Sequence, residues 1–143
     1  MITGSTSQGK TTTMTAMIDE INTTSEKHIV TIEDPIEFVH QSQGCIVNHR
    51  EVGLHTETFS SALRGALRED PDIILADEPV ASLDPVLAHS ILKNLEKLNQ
   101  EDDLSIICSL HYLDLVQRYA EHVIGLRAGE IVYRGTQEQI RAM

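Results

Sequence analysis

The sequence Gly4-Ser-Thr-Ser-Gln-Gly-Lys-Thr11 matches the phosphate-binding pattern G-x-x-x-x-G-K-[ST] in full. Gly4 and Gly9 permit a tight turn in which successive backbone N–H groups point at one anion. A helix beginning near Lys10 adds its positive dipole end, while Lys10 reaches the β- and γ-phosphates and the Thr11 hydroxyl ligates Mg²⁺. We therefore predict an ATP-binding loop rather than a disordered Ser/Thr-rich segment. The predicted nucleotide-binding residues are Gly4, Ser5, Thr6, Ser7, Gln8, Gly9, Lys10, Thr11 and Thr12.

Only three residues, Met1, Ile2 and Thr3, precede this loop. A phosphate-binding loop normally follows a buried strand, and strands usually run about 5–6 residues. We therefore expect a truncated N-terminal strand. A strand from a second copy could supply the support, so a homodimer formed by strand exchange is an open alternative.

Two further apolar runs end in carboxylates. Residues 73–76 (IILA) lead into Asp77 and Glu78 in the pattern of a Walker B strand. This pattern predicts Asp77 as a Mg²⁺ ligand and Glu78 as the residue that polarises the attacking water. Residues 29–32 end similarly at Glu33, and ligands bind beyond the carboxyl ends of strands in open α/β sheets. From the residues alone, a solvated acidic turn explains Glu33 equally well.

Another apolar run, residues 104–110, ends at His111. A histidine at the carboxyl end of a strand beside a nucleotide can hydrogen-bond the γ-phosphate. By itself, a histidine at this position would not indicate a function. The neighbouring motifs favour a functional interpretation. We therefore include His111 among the candidate catalytic residues.

Helix and strand patterns alternate along the chain. Apolar residues recur at helical spacing after the loop, within residues 59–67 and within residues 87–98. Short strands are expected at residues 45–47 and 51–52. The predicted helix N-caps are Thr58, Asp84 and Thr136. The alternation predicts an α/β fold, a three-layer α/β/α sandwich of the P-loop NTPase type with a mainly parallel sheet, as a single domain over residues 1–143.

Composition limits the classes of function. A formal net charge of −11 argues against nonspecific binding of nucleic acid or of an anionic membrane, which needs a basic surface. No stretch approaches ~18 consecutive apolar residues and no signal peptide is evident, so no membrane insertion is expected. Two cysteines far apart in sequence, Cys45 and Cys108, make no disulfide framework, which favours a cytoplasmic location.

The motifs carry a resemblance to two families. Residues 2 to about 75, with ITGSTSQGKTTTMTAMIDEIN, HIVTIEDPIEFVHQS and FSSALRGALREDPDIIL, resemble the ATPase domain of type II/IV secretion ATPases of the pilus retraction type. Residues from about 73 to 137, with ILADEPVASLDP, SIICSLH and DLVQRYAEHVIGLRAGEIVYRG, are similar to ATP-binding subunits of ABC transporters of the phosphonate importer type. We interpret the chain as an engineered chimera joined at the Walker B strand, with halves 1–75 and 76–143. A natural fragmentary gene is the alternative.

The resemblance implies roles for individual residues. Glu33 matches the catalytic glutamate of the pilus family, while Glu78 matches the catalytic glutamate of the ABC family. His111 matches the switch histidine of the ABC family, and Asp77 its Walker B aspartate. The chain therefore holds two candidate bases from two parents.

Both family patterns are incomplete in this sequence. The ABC signature LSGGQ and the later histidine box of the pilus family are missing, so neither transport coupling nor pilus motor action is expected. We expect a domain that binds ATP and Mg²⁺ and hydrolyses ATP slowly or not at all. The alternative is an inert folding-model protein, which could be a domain-swapped oligomer.

Overall fold

A computed structural model describes residues 1–5, 8–53 and 58–142 of the 143-residue chain. Strands and helices alternate over this part of the chain. The strands are β1 (Ile2–Thr3), β2 (His28–Glu33), β3 (Ile46–Glu51), β4 (Ile73–Ala76), β5 (Ser105–Leu110), β6 (His122–Arg127) and β7 (Glu130–Thr136). The helices are α1 (Lys10–Thr24), α2 (Phe59–Leu67), α3 (Pro85–Glu101), α4 (Leu113–Tyr119) and α5 (Gln137–Arg141).

The strands form one sheet in the order β3-β2-β4-β5-β1-β6-β7. All neighbouring pairs are parallel except β6 and β7, which form an antiparallel hairpin. The short β1 pairs on both sides, with Ile2 opposite Ser109 of β5 and Ile124 of β6. The strand expected to be truncated therefore has only two residues, yet it lies inside the sheet. Because parallel strands end at the same edge, the loops after β1, β2, β4 and β5 meet there.

Helices cover both faces of the sheet, as the pleat of the strands requires. Alternate residues of β4 point to opposite faces, so Ile73 and Leu75 pack with Met14 and Ile18 of α1. The other β4 residues join a second cluster with side chains of α2, α3, α4 and α5. One helix on one face and four on the other give three layers. The predicted α/β/α sandwich with a mainly parallel sheet is confirmed.

The helix starts follow local side-chain chemistry. The hydroxyls of Thr58 and Thr136 and the carboxylate of Asp84 each accept a hydrogen bond from a backbone N–H of the first turn, which confirms the predicted N-caps. Pro85 follows at the first position of α3, where its missing N–H has no helical partner to lose. No helix in the described part of the chain is both long and apolar enough to cross a bilayer.

The region around residues 45–52 differs from the prediction of two short strands. A single six-residue strand, β3, runs through Asn48, His49 and Arg50 and pairs with β2 over its whole length. Its polar residues carry little strand signal, and the pairing with β2 determines the structure instead. The prediction of two separate strands at residues 45–47 and 51–52 is therefore wrong.

Candidate functional site

A cleft of about 770 Å³ lies at the edge where the parallel strands end. The start of α1 forms one wall, and the ends of β2 and β4 form the floor. The predicted residues that line the cleft are Gly9, Lys10, Thr11, Thr12, Glu33, Asp77 and Glu78. The fold therefore brings together residues from three separate stretches of the sequence.

Lys10 and Glu78 form an ion pair in this cleft. The Lys10 side chain is only 6% exposed, and its Nζ donates directly to Oε1 of Glu78. The other oxygen, Oε2, lies 2.9 Å from Nδ1 of His111. Burial alone raises the pKa of Glu78, but the Lys10 ammonium and His111 outweigh it and hold the pKa below its usual value. Both oxygens of this carboxylate are therefore engaged.

Asp77 is held by hydroxyl groups on two sides. Oγ1 of Thr11 lies 3.4 Å from Oδ2, and the Ser109 hydroxyl donates to Oδ1 at 2.6 Å. The Ser109 oxygen also accepts the backbone N–H of Glu78 at 2.8 Å. Burial raises the pKa of Asp77, opposed by the Ser109 hydrogen bond and reinforced by the charges of Glu33 and Glu78. Ser109 therefore orients the Walker B carboxylate.

The oxygen atoms of Thr11 and Asp77 fit a hard divalent cation. Mg²⁺ prefers oxygen ligands and is usually bound by one or two protein groups, with waters and phosphates completing the shell. Among the described residues, no group of three or more His, Cys, Asp or Glu side chains forms a metal cage. The two oxygens of Thr11 and Asp77 therefore suit a cation whose remaining ligands are waters and phosphate oxygens.

Glu33 lies at the end of β2 in the same cleft and is buried. Its Oε2 accepts a hydrogen bond from the Thr31 hydroxyl at 2.8 Å. Glu33 is thus close enough to Asp77 to influence that carboxylate electrostatically, as its effect on the Asp77 pKa indicates. The two candidate bases, Glu33 and Glu78, share one cleft but have different partners.

The hairpin of β6 and β7 holds the phosphate loop from the side. The backbone N–H of Ala128 donates to Oε1 of Gln8, and the N–H of Gly129 donates to the Gln8 carbonyl at 3.2 Å. A Cβ on Gly4 would lie 2.7 Å from the carbonyl oxygen of Leu126, closer than atoms tolerate. The loop therefore depends on contacts with a hairpin more than 100 residues further along the chain, which the sequence did not indicate.

The predicted loop residues Thr6 and Ser7 lie outside the described residues. Ser5 is exposed, and it is absent from the residues that line the cleft. Ser109 was missed by the sequence analysis because a serine inside an apolar strand looks like packing. Its position two residues before His111, near the end of a strand, is the signal that could have identified it.

Glu78 predicts a specific acid sensitivity. Because its pKa is lowered in the folded chain, Glu78 contributes stability that is present above its unfolded pKa and is lost as the pH falls through the folded value. The difference in unfolding free energy between the native chain and Glu78→Gln should therefore shrink progressively below about pH 4.5. Chemical denaturation across pH 3–7 measures it. Exposed Glu130→Gln is the matched control, and a difference that stays constant with pH would contradict the ion pair.

A glycine loop at a helix N-terminus, with its lysine and threonine facing the strand-end carboxylates Glu78 and Asp77, defines a nucleotide-binding domain of the P-loop class. The model of the family described as "Type II/IV secretion system protein" matches residues 1–79, just over half of the chain. The chain belongs to this family.

Individual relatives come from two groups of ATPases. The type IV pilus retraction ATPase PilT of Pseudomonas aeruginosa is 62% identical over 78 residues, covering 54% of this chain and 23% of PilT. The phosphonates import ATP-binding protein PhnC 3 of Halalkalibacterium halodurans is 46% identical over 79 residues, covering 55% of this chain and 31% of PhnC 3. The chain therefore spans about a quarter to a third of the length of these relatives. The predicted resemblance to two families is confirmed.

The fold agrees with these relationships. The crystal structure of the pilus retraction motor PilT with bound ADP superposes with a TM-score of 0.70 at 35% identity. It covers 87% of this chain and 40% of the PilT chain. The structural similarity therefore extends beyond the residues matched by the family model and into the second half of the chain.

Proposed function

We propose that the chain is a nucleotide-binding domain that takes ATP with Mg²⁺ and hydrolyses it slowly. The observation that carries the proposal is the convergence of Lys10 and Thr11 with Asp77 and Glu78 in one cleft. The phosphate loop wraps the β- and γ-phosphates, and Lys10 neutralises them as a point charge. The ADP bound to the PilT structure supports this assignment of the ligand class.

The proposed nucleotide changes the partners of Lys10. In the structure the ammonium pairs with Glu78. A triphosphate brings more negative charge to the loop than one carboxylate does, so Lys10 turns to the phosphates. The Glu78 carboxylate then keeps its contact with His111 and loses its contact with Lys10. Thr11 and Asp77 are the residues that would hold Mg²⁺, whose charge offsets that of the phosphates.

The proposed reaction is a simple hydrolysis. A water oxygen attacks the γ-phosphorus, the bond to the β–γ bridging oxygen breaks, and its electron pair leaves with ADP. The proton of the water goes to a carboxylate, Glu33 or Glu78, and then to solvent. Among the described residues that line the cleft there is no arginine, the residue that accelerates such reactions by about 10³–10⁵ where it is supplied. We therefore infer a slow rate.

We further infer that the two halves act as one domain of chimeric origin. The strand β1 of the first half lies between β5 and β6 of the second, so the halves interleave within the sheet. The family match ends at residue 79, directly after the Walker B strand, which supports a junction there. The loop and Glu33 come from the first half and Ser109 from the second, while Asp77 and Glu78 lie at the junction.

Thermal unfolding with and without Mg²⁺–ATP tests the proposal. A ligand at 100 times its dissociation constant, bound only to the folded chain, adds about 2.7 kcal/mol to the unfolding free energy. For a chain of this length the midpoint should then rise by roughly 5–10 °C. ADP with Mg²⁺ should also stabilise, while AMP should not. An unchanged midpoint at saturating ATP would favour the inert alternative instead.

A further inference from the structure

A hydrogen-bonded chain of side chains ends on Glu33. Thr31 and Glu33 are two residues apart on β2, so their side chains point to the same face of the sheet. His49 of β3 is the register partner of Thr31, so its side chain lies on that face too. His40, in the segment between the two strands, is buried and stacks on the His49 ring at a centroid distance of 5.8 Å. The side chains of Thr31, Glu33, His40 and His49 thus form one largely buried polar cluster next to the cleft.

The direction of each hydrogen bond follows from its partners. The backbone N–H of His40 donates to Nε2 of His49 at 3.1 Å, so this nitrogen carries no proton. A neutral His49 ring therefore carries its proton on Nδ1, which lies 2.7 Å from the Thr31 hydroxyl oxygen. The Thr31 hydroxyl oxygen accepts a hydrogen bond from this Nδ1–H, and its O–H donates a hydrogen bond to Oε2 of Glu33 at 2.8 Å. A backbone amide at one end and a carboxylate at the other determine the order of the whole chain.

The surroundings favour a neutral His40 ring. Burial lowers the pKa of His40, the nearby His49 lowers it further, and Glu33 and Asp19 act in the opposite direction. Protonation of His49 at Nε2 would also remove the acceptor for the His40 amide. Two titratable groups face His49: His40 from the connecting segment and Glu33 from β2. Oε2 of Glu33 lies 3.4 Å from Nδ1 of His49.

The two candidate glutamates differ in how many of their carboxylate oxygens accept hydrogen bonds in the described part of the chain. Both carboxylate oxygens of Glu78 are engaged, one by Lys10 and one by His111. For Glu33, the Thr31 hydroxyl takes Oε2, and Oε1 accepts no hydrogen bond from the part of the chain that the structure describes. Glu33 also lines the cleft that would hold the phosphates. One oxygen of Glu33 is thus anchored while the other remains available to a water molecule.

We propose that Thr31 and His49 are positioning residues that orient the Glu33 carboxylate as the acceptor of the water proton. This inference rests on the proposed function. It takes Glu33 as the base, while Glu78 pairs with Lys10 before the nucleotide binds and keeps its contact with His111 afterwards. Thr31 fixes the carboxylate rotation through Oε2, and His49 fixes the direction in which the Thr31 hydroxyl donates.

The first test measures the His49 tautomer and needs neither a variant nor ATP. Long-range ¹H–¹⁵N correlation of the full chain at neutral pH distinguishes a protonated Nδ1 from a protonated Nε2. The hydrogen-bond order requires the Nδ1–H tautomer for His49. His28, on the same strand as Thr31 but paired with Asn48, serves as the internal comparison. A His49 ring protonated at Nε2 would overturn the proposal.

The second test uses the steady-state kinetics of ATP hydrolysis. Thr31→Val removes the hydroxyl but keeps a β-branched strand residue, so the Glu33 carboxylate loses the hydrogen bond that fixes its rotation. The kcat should fall about tenfold at neutral pH while KM stays within about twofold, because the phosphate contacts are untouched. Thr31→Ser keeps the hydroxyl and should restore kcat, while His28→Gln should match the native chain.

The outcomes separate this proposal from the proposed function. An unchanged kcat in Thr31→Val, in a chain that does hydrolyse ATP, would overturn the positioning role alone. A native chain that binds but never hydrolyses ATP would remove the catalytic role of Glu33 and with it this proposal, whereas nucleotide binding would stand. If Thr31→Val does not fold, the His49 tautomer still decides the matter.

Discussion

Lys10→Ala is expected to abolish the stabilisation that Mg²⁺–ATP gives to the chain. The Lys10 ammonium is the only group of the loop with a full positive charge, and its Nζ already faces the strand-end carboxylates. Without it, the phosphates would approach Asp77, Glu78 and Glu33 with no compensating charge from the loop. The midpoint of thermal unfolding should then be the same with and without ATP, a loss of about 2.7 kcal/mol at 100 times the native dissociation constant.

The control for this variant is Lys93→Ala. Lys93 is exposed on α3, far along the chain from the loop, and its removal changes the net charge equally. This variant should retain the full response to ATP. If Lys10→Ala were stabilised by ATP as strongly as Lys93→Ala, the nucleotide would have to bind elsewhere and the assignment of the phosphate loop would be wrong.

Ile2→Ala is expected to destabilise the whole domain, although it alters a strand of two residues. Ile2 is 1% exposed and belongs to the core cluster that also contains Met14 of α1 and Leu126 of β6. Truncation of a buried isoleucine costs about 2–5 kcal/mol because apolar contacts are lost and a cavity remains. Urea denaturation should show this loss, and the affinity for ATP should fall as well, because β1 leads directly into the loop.

Ile131→Ala provides the matched control. Ile131 lies on the edge strand β7 and is 61% exposed, so its truncation should change the unfolding free energy by no more than about 0.5 kcal/mol. Equal effects of the two substitutions would mean that β1 is not held between β5 and β6. In that case the support of the phosphate loop would have to come from elsewhere, such as a strand exchanged between copies.

The parts of the fold with the strongest sequence signals were predicted well. The runs that form β4 and β5 are aliphatic and bounded by turns, so burial alone identifies them as strands. The strand β3 is polar at Asn48, His49 and Arg50, and only its pairing with β2 makes it a strand. A pattern read along one segment carries no information about such a partner.

The candidate site shows the same division. The loop and the Walker B carboxylates follow from fixed spacings, because phosphate and Mg²⁺ need particular groups at particular distances along the chain. The contacts of Ser109 with Asp77, of Gln8 with Ala128 and of His49 with Thr31 join residues 18 to 120 positions apart. These contacts depend on strand order and register, which the sequence pattern did not provide.

The most direct test of the nucleotide site is amide chemical-shift mapping of the full chain during titration with Mg²⁺–ATP. A loop that is held by β1 and the β6–β7 hairpin should wrap the phosphates with its backbone N–H groups. The account predicts the largest shifts at the amides of Gly9, Lys10, Thr11 and Thr12, with smaller shifts at Glu78, whose side chain loses Lys10. If these amides stayed unperturbed at saturating ATP, the account would be contradicted, whatever the stability of the fold.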